Sequence, residues 1–82
     1  MKDVPGKAWR GEDGLHVDTR GLAPPDPMVA ILWHVENTPG PIIAHMDRNP
    51  VHLYPELAER GWVGELTSEA PGDTRLILRP MR

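Results

Sequence analysis

Residues 20–28 read RGLAPPDPM, with three prolines in four positions directly before an apolar periodic run. Each proline fixes its own φ and pushes the residue before it out of the helical region. The first residue free of both constraints is Met28. From there Met28, Ile31, Leu32 and Val35 recur at i, i+3, i+4 and i+7, one apolar stripe of an amphipathic helix. Asp26 suits the N-cap and Pro27 the first helical position. Asn37-Thr38-Pro39-Gly40 stops the helix.

Upstream, residues 15–20 (LHVDTR) alternate apolar and polar, as a short strand does, and Gly21-Leu22 close it. Downstream, residues 41–46 (PIIAHM) form an apolar run of strand length, suited to a central strand. Asp47-Arg48-Asn49-Pro50 is a turn. A second helix is predicted from near Leu53 or Tyr54, because Pro55 is tolerated only in a first turn, and Gly61 ends it. Residues 62–67 (WVGELT) and 74–81 (TRLILRPM) read as a hairpin across the turn Ala70-Pro71-Gly72-Asp73. The order is βαβαββ. It predicts an α/β (α+β) two-layer sandwich, with two helices packed on one face of a four-stranded mixed sheet. The crossovers should be right-handed. Residues 15–82 are then the domain and residues 1–14, polar and rich in glycine, a flexible lead-in. Trp9 within it either packs back on the body or meets a partner.

The composition narrows the function classes. The chain has 82 residues, consistent with one small domain, and no cysteine. Disulfides, thiolate metal sites and cysteine nucleophiles are excluded. No stretch is long and apolar enough for a membrane span or a signal peptide, so a cytoplasmic protein without membrane contact is expected. Net charge is −3, with the signs interspersed and a single tyrosine, so neither a basic face nor an aromatic platform for nucleic acid is visible.

The motif VDTRGLAPPDP with a helix behind it resembles the signature of TusA/SirA-like sulfur carriers, roughly L-D-x-x-G-L-x-C-P-x-P. Val17-Asp18, Gly21-Leu22 and Pro25-x-Pro27 match, and Pro24 stands where the reactive cysteine would be. The later segments DRNPVHLYPELAERGW and APGDTRLILRP are similar to a cysteine-lacking relative, the bacterial domain-of-unknown-function family 2249. The resemblance runs from about His16 to the C-terminus. It implies the same βαβαββ sandwich. Persulfide transfer, the activity of the sulfur carriers, is closed to a chain without cysteine. The helix N-terminus behind the prolines is a poor phosphate cradle, since Pro25 and Pro27 delete N–H donors and Asp26 adds negative charge.

The candidate site residues lie in two turns that should meet on one rim. Asp18, Arg20, Pro24 and Asp26 flank the first turn; His45, Asp47, Arg48 and His52 flank the second. Asp18 is expected to satisfy loop donors, and His45 to be hydrogen-bonded within the fold. Ile77, Val63 and Trp62 would leave the open sheet face partly apolar, and a sandwich this small is not expected to enclose a ligand-sized cavity. The sequence therefore points to a non-catalytic interaction domain with a protein partner, itself a monomer or weak homodimer, and with no resident cofactor. The alternative is a metal- or haem-responsive accessory protein of respiratory or nitrogen-oxide metabolism. It would use His45, Met46 and His52 to hold copper, zinc or haem.

Overall fold

The computed structural model describes residues 4–81. Its elements are β1 (Lys7–Gly11), β2 (Gly14–Asp18), α1 (Asp26–Asn37), β3 (Ile42–Met46), α2 (Leu53–Glu59), β4 (Trp62–Ala70) and β5 (Asp73–Pro80). They form one mixed sheet in the order β1-β2-β3-β5-β4. The sheet has five strands rather than the four expected. The extra strand, β1, comes from the segment read as a lead-in and pairs antiparallel with β2. Residues 1–3 of that segment lie outside the described residues.

β2 and β3 are parallel, with Val17 opposite Ala44 and Asp18 opposite His45. β5 runs antiparallel to both β3 and β4. Strand alternation sorts the side chains. Val17, Ile42, Ala44, Met46, Leu76 and Leu78 share one core with Ile31 and Val35 of α1 and Leu53 and Leu57 of α2. Both helices therefore cover the same sheet face. Each fully buried Ile or Leu contributes roughly 2 kcal/mol by leaving water, and α1 buries part of the stripe read from its spacing, Ile31 and Val35. Arg60 ties the helices at their outer surface, 2.9 Å from Glu36 and 3.0 Å from Glu56.

Two local expectations need correction. Asp26 is the first helical residue and not the N-cap, a position that Pro25 takes without any side-chain cap. The Asp26 N–H donates to Ala23 O and the Val29 N–H to Pro25 O, so the helix starts as soon as the proline turn closes. Prolines there cost nothing, since first-turn N–H groups have no helical acceptor. Trp62 lies on the helix side in the core, not on the open face. Its pairing with Pro80 sets it one step from Val63, and side chains alternate. Among the described residues, no helix is long and apolar enough to cross a membrane.

Gly14 begins β2 with φ +135°, and a Cβ there would lie 2.6 Å from the carbonyl oxygen of Pro41. Gly72 has φ +72° but open space around it. Gly14→Ala is expected to cost about 3 kcal/mol, from backbone strain plus overpacking. Gly72→Ala should cost about 1 kcal/mol. Urea unfolding of the two variants beside the parent chain measures both.

Candidate functional site

Parallel pairing of β2 and β3 brings the loops that follow them side by side. The Thr19 N–H donates to His45 O at 2.9 Å, and the Gly21 N–H donates to Asp47 Oδ2 at 2.9 Å. Between the loops opens a cleft of about 470 Å³. Pro24, Pro25, Pro27 and Met28 wall it on one side, with Thr19 and Leu22 beside them. Pro50 and Val51 wall the other side, Met46 and Leu53 reach it from the core, and Asp47, Arg48, Asn49 and His52 stand at its polar edge. It is an open, largely apolar cleft and not an enclosed cavity. The prolines explain it: loop backbone normally lines a surface with N–H donors, whereas a proline ring presents only carbon. Asn49 is held by the Tyr54 hydroxyl, which donates to its Oδ1 at 2.7 Å.

The open sheet face carries a second cluster. Its centre is a row across the strands, Lys7, Asp18, His45, Arg75 and Ser68, beside another, Trp9, His16, Ile43, Ile77 and Glu65. His16 Nδ1 and His45 Nε2 are 2.9 Å apart, and His16 Nε2 is 2.7 Å from Asp13 Oδ1. A carboxylate only accepts, so His16 Nε2 carries a proton. In the neutral ring Nδ1 is then bare and accepts from His45 Nε2–H. That leaves His45 Nδ1 bare, buried and without a partner. Trp9 lies against both rings, with centroids 5.2 Å from His16 and 5.5 Å from His45, yet stays 45% exposed. Burial pushes the His45 pKa down, and the charge of Arg75 and the neighbouring His16 push it further, against a smaller upward pull from Asp18.

Asp18 is fully engaged. Its Oδ1 accepts from the backbone N–H and Nε of Arg20, both at 3.0 Å, and its Oδ2 accepts from Arg20 Nη2 at 2.9 Å. The guanidinium beside it holds the Asp18 carboxyl down to about 2. Arg20 also reaches Asp73 at 3.5 Å, and Arg75 lies 3.8 Å from the same oxygen.

The residues singled out in the sequence thus divide between two faces. Pro24, Asp47, Arg48 and His52 bound the cleft. Asp18, Arg20 and His45 belong to the opposite, open face, and Asp26 is exposed at the start of α1. The set His45, Met46 and His52 does not converge. His45 and Met46 are successive on β3, so one side chain faces Trp9 and the other the helices, while His52 stands at the edge of the cleft. Among the described residues, no three His, Cys, Asp or Glu side chains gather where a metal ion could be held. Sequence reasoning did not assemble Trp9, Asp13 and His16 into a site. Asp13-Gly14 is a hairpin signal that could have folded Trp9 onto the sheet.

Residues 16–79 match the family of uncharacterized conserved proteins described as DUF2249. No curated protein matches, and neither does any solved structure. The match covers well over half of the chain, so the chain belongs to that family. β1 and the β1–β2 turn precede the matched residues.

The Asp18–Arg20 pair sets an acid dependence with a definite sign. Asp18 titrates at about 2 when folded against 3.8 as the ordinary value. A lowered carboxylate pKa stabilises the fold above the ordinary value, and the contribution fades as pH falls toward the folded one. Between pH 3.8 and 2, stability of the parent should therefore fall more steeply than that of Asp18→Asn. Unfolding curves at a series of pH values read the two slopes.

Proposed function

We propose that this DUF2249 domain is a non-catalytic interaction module that receives an apolar segment of a partner protein in the cleft between its two strand-to-helix loops. The cleft itself carries the reading. It sits outside the carboxyl ends of the parallel strands β2 and β3, the place where open α/β sheets offer a crevice. Its size is that of a pocket for one small molecule or a few side chains. Its walls are proline rings, and Met28 and Met46 are unbranched thioethers that adapt to irregular shapes.

The chemistry of the walls favours binding over reaction. The chain has no cysteine, and Pro24 occupies the place of the sulfur carriers' nucleophile in the motif it resembles. Thr19, the hydroxyl beside the cleft, is buried and donates to His45 O at 3.2 Å. The ring of His45 faces the other side of the sheet, against Trp9. Among the described residues along the walls, no nucleophile is paired with a base, as covalent catalysis requires. A protein partner fits the edge as well, since Arg48 and His52 are exposed beside an apolar floor. An anchor side chain in a pocket ringed by polar groups is the arrangement of a binding hot spot.

The test is site-specific photocrosslinking in cells, with the crosslinking residue placed at Val51 or, as a control, at Val63 on the open face. Val51 is 62% exposed and Val63 38%, so both are accessible. A discrete protein adduct from Val51 alone is expected. The purified partner should then bind Val51→Asp about tenfold or more weakly, roughly 1.4 kcal/mol, while the unfolding midpoint is unchanged. Adducts formed equally from Val63, or an affinity indifferent to Val51→Asp, would sink the proposal.

A further inference from the structure

We propose that the His16–His45 pair is a proton-operated latch, holding β1 and Trp9 on the sheet near neutral pH and releasing them on acidification. The inference concerns the open face and stands independently of the cleft.

Two rings offer four nitrogens. One contact, between His16 Nδ1 and His45 Nε2 at 2.9 Å, holds a single shared proton. Asp13 takes the proton on His16 Nε2 at 2.7 Å. The neutral pair satisfies both contacts. The first added proton must go to His45 Nδ1, which is buried and has no acceptor. A second would set two N–H groups nose to nose across the shared contact, with two like charges on adjoining rings. Unfolded, the His45 ring takes its proton freely near its ordinary value of 6.5.

Asp13 and Asp18 offset part of that charge, but neither gives His45 Nδ1 an acceptor. From β1, Lys7 and Trp9 face the pair; from the turn, Asp13; from β2, Asp18; from the loop behind it, Arg20; and from β5, Arg75 and Asp73. Both oxygens of Asp18 are occupied by Arg20, and Arg75 stands directly opposite His45 in the ladder. Burial, Arg75 and His16 all lower the His45 pKa. A histidine held below its ordinary value of 6.5 supports the fold above that pH and withdraws support as pH falls through and below it.

β1 is the element placed to respond. It is an edge strand whose first four residues, Lys7–Arg10, are exposed. The ring contacts of Trp9 with His16 and His45 anchor it to the sheet by side chains. The pair itself sits on β2 and β3, and β3 is buried along its whole length. Opening β1 costs a five-residue edge ladder, whereas moving β3 would cost the core.

The experiment is NMR on the full chain. Histidine ring nitrogen shifts and amide protection factors are followed from about pH 7.5 to about pH 5. As the pair takes up charge, protection across β1 is expected to drop at least about tenfold, while amides of β3 and β5 keep theirs. His45→Phe keeps a ring beneath Trp9 but takes no proton, and should abolish the drop. Arg75→Gln removes the opposing cation and should move the transition to higher pH, a readout that survives even if His45→Phe does not fold. The latch is overturned if β1 stays protected once the pair is charged, or if β1 opens only together with the core. A transition unmoved by Arg75→Gln overturns it too.

Discussion

Everything on both faces depends on the register between β2 and β3. Val17 opposite Ala44 and Asp18 opposite His45 set which side chains meet the helices and which meet Trp9. A slip of one residue would turn Val17 outward and bring Asp18 into the core, because side chains alternate along a strand. The parallel direction matters as much. It demands a crossover, supplied by α1, and it leaves the two loops after the strands at the same end of the sheet. The cleft and the histidine pair are therefore two consequences of one pairing, on opposite sides of it.

The proline stretch settles a conflict between loop and cavity. Loops carry backbone groups that seek water or hydrogen bonds, and a surface lined by loops is ordinarily polar. Prolines at positions 24, 25, 27 and 50 remove those donors where the loops border the cleft. The same residues fix φ, so the walls keep their shape without a packed layer behind them. Their cost is small because helix starts and turns do not need the missing N–H groups.

The open face follows a different logic. A sheet with helices on one side is expected to present polar side chains on the other. Here the polar residue at the centre of the face is itself covered: His45 is only 5% exposed, beneath Trp9 and beside the ion pairs of Asp18, Arg20 and Asp73. An imidazole suits such a position, since in its neutral form one nitrogen donates and the other accepts. Burial of an ionisable group is tolerable while it stays neutral, which ties the packing of this face to proton concentration.

By itself the sequence determined the order from β2 to β5, both helices and their apolar stripes, and the absence of any thiol chemistry. These are local matters. Periodicity at 3.6 or 2 residues, proline geometry and composition act within a few positions of each residue. It also put Asp18, Arg20, Pro24, Asp26, His45, Asp47, Arg48 and His52 on one rim; parallel strands do bring their following loops together, but only Pro24, Asp47, Arg48 and His52 of these border the cleft. β1 was hidden because Lys7, Ala8 and Arg10 give its segment no apolar alternation, although Asp13-Gly14 marked the turn. Only the tertiary structure separated His45 from Met46 and His52 and joined it to His16 and Trp9. Which of two neighbouring side chains shares a point in space with a distant one depends on strand register. Register is settled by burial of the whole sheet face, and no short stretch of sequence contains it.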